Sequence, residues 1–172
     1  DYHWAAAHIC TTLQVAVVRF LRDAGFDVRW SWAVALAQVA GLSRHIWYMN
    51  TVSFDYGWNT VVLGSIVASQ AIVWTAWVVV VRWLRPVASP CSRVAGPAPH
   101  AGMVLRFQLL LAFATSLELL DFPPLGNALD AHAAWHAATI PLSLYWYRFL
   151  RFDREWRGLT SSDNKDSGRK AE

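Results

Sequence analysis

The segment TVVLGSIVASQAIVWTAWVVVVRWL, Thr60–Leu84, decides the fold class because it carries no charged side chain before Arg82. A helix needs about 20 mainly apolar residues to cross the hydrocarbon core of a bilayer, and this segment is long enough. The chain has further apolar segments of similar length at Tyr2–Phe20, Trp30–Met49, Met103–Leu120 and Ala131–Leu150. The sequence therefore predicts an all-α, multi-pass transmembrane helical bundle with five helices.

The composition supports a membrane protein over a soluble α-helical one. Of the 172 residues, 55% are hydrophobic and only 16% are charged, whereas a soluble domain has about 25% charged residues. Eleven tryptophans fit the boundary between membrane and water, which favours an apolar ring with a polar N–H. The net charge of +3 does not indicate nucleic-acid binding, because the basic residues lie between the apolar segments and in the tail.

The distribution of charge predicts the domain limits and the orientation. Residues 1–151 form the transmembrane domain, interrupted by a Pro-rich loop at Arg85–Ala101, and residues 152–172 form a polar tail predicted to be disordered. Lys and Arg residues gather at the first and third connections and after the fifth helix, and these regions hold 14 of the 15. The positive-inside rule makes that side cytoplasmic. The opposite side then receives Asp1, Asp55, Glu118, Asp121 and Asp130.

The segment DAHAAWHAAT, residues 130–139, places ionisable side chains in a helix that is otherwise apolar. His132 and His136 are four residues apart, so their imidazoles lie on one face of the helix at a spacing that suits a metal ion. Histidine without thiolate favours zinc, and a third ligand would have to come from another segment. The alternative is a pair of histidines that are hydrogen-bonded inside the bundle.

Three carboxylates lie near these histidines in the predicted topology. The segment ELLDFPPL, residues 118–125, ends the fourth helix because Pro123 and Pro124 have no backbone N–H to donate. Glu118, Asp121 and Asp130 are therefore candidates to hold the histidine rings by hydrogen bonds. The alternative is that they are charges at the membrane interface. His100, in the Pro-rich loop, is expected to be solvated.

Three stretches resemble a known family: HIWYMNTVSFDYGWNT (45–60), SLELLDFPPL (116–125) and LDAHAAWHAATIPLSLYW (129–146). In this order and spacing they are similar to the Per-one-like family of post-GPI-attachment-to-proteins factors, in the CREST superfamily of seven-helix membrane hydrolases. The resemblance implies that these five helices are the C-terminal five of an expected seven. It also implies a phospholipase A-type reaction, in which a zinc-activated water removes the sn-2 acyl chain of GPI anchors.

The resemblance also implies roles for individual residues. The superfamily pattern has a serine, a histidine, an aspartate and a late HxxxH pair. His132 and His136 match the pair as Zn²⁺ ligands, and Asp1 matches the catalytic aspartate that orients or deprotonates the water. The serine and the third histidine ligand would lie upstream of Asp1, so this chain alone is expected to be inactive.

The implied partners are GPI-anchored proteins, their lipid and other membrane lipids, with no nucleic acid. The implied location is the Golgi or the endoplasmic reticulum, with the active site in the lumen and the C-terminus in the cytoplasm. Two alternatives remain open: a non-enzymatic receptor or chaperone for GPI-anchored cargo, and a proton-coupled transporter with Asp130 and the histidines as a relay.

Overall fold

The structure, a computed structural model, describes residues 2–84, 100–126 and 129–169, with side chains described as far as Glu155. Over these residues the fold is helical, without strands, and the predicted all-α class is confirmed. The helices are α1 (Tyr2–Ala24), α2 (Trp30–Thr51), α3 (Tyr56–Val79), α4 (Ala101–Leu119) and α5 (Ala131–Arg169). A π-helical turn, Val80–Leu84, continues α3. Each helix begins within four residues of its predicted start, and most of the Pro-rich loop lies outside the described residues.

Three described helices are long and apolar enough to cross a membrane: α1, α3 with its π-helical turn, and α4. α2 and α5 have a spanning length but are not among these three, so their crossing stays a prediction. The exposed tryptophans lie near helix ends, where the lipid headgroups would be. They are Trp4, Trp30, Trp32, Trp47, Trp58 and Trp83.

The Asp1–Arg85 unit is compact, and α1 packs against both α2 and α3. A stripe on α1 is buried, and its Ala6 and Ala16 are almost fully enclosed. Small residues at such positions let helix backbones approach closely inside a membrane. Polar side chains add interhelical hydrogen bonds, as from the Thr12 hydroxyl to the Gln70 amide oxygen at 3.0 Å.

Local signals fix the turns between these helices. Gly25, with φ of 76°, follows α1, and the N–H of Phe26 donates to the carbonyl of Leu21 at 2.9 Å. This pattern closes a helix end with a residue in the left-handed conformation, which glycine adopts without steric cost. Asp55 caps α3 by accepting a 2.9 Å hydrogen bond from the backbone N–H of Trp58.

In the Pro86–Glu172 unit, α4 packs against α5 as a hairpin of two antiparallel helices. Aromatic rings fill part of the contact, with Phe107 and Trp146 centroids 4.8 Å apart. The connecting segment closes on itself, because the N–H of Leu125 donates to the carbonyl of Leu129 at 2.9 Å and the reverse bond is 3.3 Å. The ends of α4 and α5 are thereby held next to each other.

Two local expectations differ from the structure. His100 is buried rather than solvated, and its Nε2 lies 2.9 Å from a carboxylate oxygen of Asp153 on α5. Residues 152–169, predicted to be disordered, continue α5 as a helix, while 170–172 lie outside the described residues. Extending a helix that has already formed is easier than starting one, and the Arg151–Glu155 pair at 2.9 Å supports this turn. The hydrogen bond and charge of Glu155 raise the pKa of Arg151.

Candidate metal centre

His132 and His136 face each other at the start of α5, as their spacing predicts. Their Nε2 atoms are 3.0 Å apart, and the ring planes are nearly perpendicular, at 89°. Both side chains are exposed at the end of the α4–α5 hairpin. The prediction that the two imidazoles share one helix face is confirmed by this geometry.

Glu118 fixes the role of each nitrogen of His132. Both carboxylate oxygens of Glu118 lie 3.1 Å from His132 Nδ1. A carboxylate accepts, so Nδ1 carries the proton and donates it, and Nε2 of the neutral ring keeps a free lone pair. Histidines that bind metals commonly donate their second N–H to a carboxylate in this way. Glu118, at the end of α4, therefore aims the Nε2 lone pair of His132 at His136.

The distance between the two Nε2 atoms suits a shared cation. Two imidazoles bound to one zinc ion at about 2.0–2.1 Å with a tetrahedral angle have their nitrogens about 3.3 Å apart. The observed 3.0 Å is a few tenths of an ångström shorter, and small rotations of two exposed side chains would close that difference. Without a cation, the same distance fits a hydrogen bond from the Nε2–H of His136 to His132. A metal ion would take the place of that proton.

In a catalytic zinc site with three protein ligands, His132 and His136 would supply two of them. No group of three or more His, Cys, Asp and Glu side chains within 2–84, 100–126 and 129–155 is arranged to hold a metal ion. Asp1, the expected catalytic aspartate, lies outside the described residues. Its role, and the third ligand, therefore stay predictions from the family resemblance.

The other two carboxylate residues lie at the ends of α5 and α4. Asp130 caps α5, because one of its carboxylate oxygens accepts a 2.7 Å hydrogen bond from the N–H of Ala133. Asp121 follows α4 with φ of 42°, a left-handed conformation in which Asp is tolerated better than most residues. Of the three candidates, the structure brings only Glu118 into hydrogen-bond contact with a histidine.

Trp135 packs beside the two histidines, a contact that was not predicted from the sequence. Its ring centroid lies 4.5 Å from that of His136 and 5.5 Å from that of His132. The indole therefore packs beside both imidazoles and limits their rotation. Its position three residues after His132 was the available signal, since such pairs lie on one face of a helix.

The hairpin carries one histidine–carboxylate pair at each end. His132 and Glu118 lie at one end, and His100 and Asp153 lie at the other. The 21 positions from His132 to Asp153 correspond to about 30 Å along a helix, which equals the thickness of the hydrocarbon core. Neither 107–117 of α4 nor 137–147 of α5 contains a charged residue. If the hairpin crosses a bilayer, the candidate centre lies at one boundary with water and not at the midplane.

Comparison with known proteins gives a consistent set of relatives. The Per1-like family profile matches residues 1–154. The chain is 35% identical over 147 residues to "Post-GPI attachment to proteins factor 3" of Drosophila melanogaster, covering 86% of this chain and 40% of that protein. It is 35% identical over 150 residues to "GPI-specific phospholipase A2-like PGAP3" of Danio rerio, covering 87% of this chain and 43% of that protein.

The Mus musculus protein of the same name is 33% identical over 153 residues, covering 89% of this chain and 43% of that protein. The chain thus spans about two fifths of the length of the curated relatives it matches. No solved structure matches it. The match to the family profile covers most of the chain, including His132, His136 and Glu118. This chain belongs to the Per1-like family.

Proposed function

We propose that this protein takes part in the remodelling of GPI anchors by hydrolysing the sn-2 acyl ester of GPI-anchored proteins, with Zn²⁺ as the cofactor. The observation that carries the proposal is the arrangement of His132, His136 and Glu118, which matches a carboxylate–histidine–metal unit. The names of the relatives, which include "GPI-specific phospholipase A2-like", support the substrate and the reaction.

Each described residue has a distinct task in this proposal. His132 and His136 hold the cation through their Nε2 atoms, and Glu118 keeps His132 in the tautomer that can bind it. Trp135 packs against both rings and reduces the number of orientations they can adopt. A bound zinc ion supplies Lewis acidity and a water of lowered pKa. Asp1 would orient or deprotonate that water, as the family resemblance implies.

The position of the site suits an ester of a membrane lipid. The acyl esters of a glycerolipid join the hydrocarbon chains to the polar headgroup, so they lie at the boundary between the two. The uncharged middle of α4 and α5 and the ionisable pairs at their ends favour a site at that same depth. An anchored protein could then present its ester without leaving the bilayer.

The compartment follows from the proposed substrate. A protein that acts on GPI-anchored proteins works in the secretory pathway, and we expect the endoplasmic reticulum or the Golgi. The charge distribution supports an orientation with the histidine end of the hairpin in the lumen and the C-terminus in the cytoplasm. GPI-anchored proteins and membrane lipids are the partners in this proposal.

The transporter alternative receives less support. It requires Asp130 to exchange protons with the histidines, but the Asp130 carboxylate is bonded to the backbone at the start of α5. The cargo receptor alternative uses the same substrate without turnover. It differs from the hydrolase in predicting no change in the acyl chains of the anchor.

A test combines metal content with lipid analysis. We expect purified full-length protein to contain zinc, and His132→Ala and His136→Ala to lose it. In cells that lack the protein, the wild type should restore the removal of the sn-2 chain, and both variants should fail. His8→Ala is the matched control, because His8 is an exposed histidine of α1. Unchanged zinc content in both variants would contradict the metal site, and unchanged anchors with wild type would favour the receptor.

A further inference from the structure

A groove of about 440 Å³ opens between α1, α2 and α3, within the Asp1–Arg85 unit. Its volume falls in the range of about 300–1,000 Å³ that small-molecule sites occupy. The walls are mostly apolar, and α1 forms a floor through Ala6, Cys10 and Leu13. Gly41 of α2 also lines it, and a side chain added there would meet no atom within 4 Å. The groove beside Gly41 therefore has room for atoms of a ligand.

The groove runs along part of each helix and begins near the end of the unit that holds His45 and Trp58. On α2 its lining runs from His45 to Val34, and on α3 it runs from Trp58 to Ile66. At a rise of 1.5 Å per residue these are depths of about 16 Å and 12 Å. Half of a hydrocarbon core is about 15 Å thick, which is the length of one leaflet. The groove therefore has the depth of a single acyl chain.

Aromatic side chains gather at the mouth of the groove. Tyr2 packs against Phe54 and Tyr56, with ring centroids 5.4 Å and 6.2 Å apart, and Tyr48 packs against Trp58 at 6.2 Å. Tyr and Trp concentrate at the level of lipid headgroups. The mouth therefore lies where the polar part of a lipid would be, and the rest of the groove lies where its chain would be.

A buried polar group stands in the wall near this mouth. His45 is 6% exposed, and its Nε2 lies 3.0 Å from the amide oxygen of Asn59, which is also buried. An amide oxygen only accepts, so Nε2 carries the ring proton and Nδ1 is an acceptor. Nδ1 is buried without a hydrogen-bond partner. A buried acceptor of this kind is costly unless a donor reaches it.

We infer that this groove binds one acyl chain of a membrane lipid whose polar end carries a hydroxyl group directed at His45. The medium around α1 and α3 supplies such chains, because both helices are apolar enough to cross a membrane. The apolar length accommodates the chain, and the hydroxyl gives His45 Nδ1 its missing donor. This binding needs neither a metal ion nor hydrolysis, so it stands apart from the proposed function.

The first experiment fills the groove. Full-length protein in phosphatidylcholine nanodiscs is labelled with a monoacylglycerol that carries a photoreactive diazirine on its chain, and the labelled residues are mapped by mass spectrometry. Label is expected on groove residues of the wild type. Gly41→Phe should lose about tenfold or more of it, as when two or more methylenes are excluded from an apolar site. Gly64→Phe is the matched control, since Gly64 also has open space around it but does not line the groove.

A second variant distinguishes loss of the groove from misfolding of Gly41→Phe. Val61 lines the groove and is 60% exposed, so Val61→Trp adds bulk at a position that the fold does not enclose. It should reduce labelling in the same way. Equal labelling of wild type, Gly41→Phe and Val61→Trp overturns the inference. Label that maps outside the groove, or cross-links that show a second copy seated in it, also overturns it.

The second experiment tests the hydroxyl contact. The wild type should prefer the monoacylglycerol over a methyl ester of the same chain by about fivefold, the factor for one net hydrogen bond. His45→Phe keeps an apolar wall and should reduce that preference to about one while chain labelling persists. A preference that survives in His45→Phe excludes His45 as the partner of the hydroxyl.

Discussion

Replacing Glu118 by Gln tests the candidate metal centre at its most specific contact. The substitution preserves the size of the side chain but removes the charge that lies 3.1 Å from His132 Nδ1 through both oxygens. A glutamine amide can also donate to Nδ1. In that case the ring proton moves to Nε2, which then cannot bind a metal ion. We expect the variant to fold normally and to bind zinc more weakly.

The magnitude follows from the exposure of the pair. A hydrogen bond to a charged group contributes about 1.5–3 kcal/mol, but the His132 side chain is 62% exposed and that of Glu118 is 29% exposed. Water screens part of the interaction, so the lower end of that range, about 1.5 kcal/mol, applies. It corresponds to a loss of about tenfold in zinc affinity, which lies at the lower limit of the 10–100-fold found for such outer contacts.

The assay is competition between purified full-length protein and a chelator of known zinc affinity, with circular dichroism as the check on folding. Glu155→Gln is the matched control, because Glu155 is an exposed glutamate of α5 that pairs with Arg151. It should bind zinc as the wild type does. If Glu118→Gln stays within about twofold of Glu155→Gln, then Glu118 does not orient His132 for a metal ion.

Three further substitutions separate backbone roles from metal binding. Asp130→Ala removes the cap of α5 and should lower the free energy of unfolding by about 1 kcal/mol, with zinc affinity unchanged in the same competition assay. Asp121 adopts a left-handed conformation with φ of 42°, which glycine tolerates and a β-branched residue does not. In detergent, Asp121→Gly should leave the free energy of unfolding unchanged or slightly higher, whereas Asp121→Val should lower it by about 1–2 kcal/mol. Asp153→Asn weakens the buried bond to His100 and should cost about 1–3 kcal/mol in a denaturant titration, and an unchanged midpoint would contradict this contact.

The helices were predictable because each one corresponds to one continuous segment of the sequence. Apolar segments of spanning length give the number of helices, and the prolines after Glu118 mark the end of α4. The far end of α5 was not predictable in the same way. The residues after Leu150 are polar and low in apolar content, and nothing in their pattern shows that Asp153 is buried against His100. That contact joins residues 53 positions apart, and only packing of α4 on α5 creates it.

The candidate centre was also predictable only in part. The pairing of His132 with His136 follows from the period of one helix, so spacing alone predicts it. The choice of Glu118 over Asp121 and Asp130 depends on the backbone at the helix ends. Asp130 is used as a cap and Asp121 adopts the left-handed conformation after α4. Sequence spacing ranks these three carboxylates equally, because each lies within the turn that joins the two helices or at its edge.

The hairpin also explains why ionisable side chains can be placed in such apolar helices. A charge at the middle of a bilayer is costly, whereas one at the boundary keeps contact with water. α4 and α5 keep their ionisable pairs about 30 Å apart, and the middle of each helix, 107–117 and 137–147, carries no charged residue. The pair at one end is buried and ties α4 to the extended part of α5, while the pair at the other end is exposed. The buried pair thus helps to hold α4 against α5, and it leaves His132 and His136 accessible at the other end, as the proposed metal site requires.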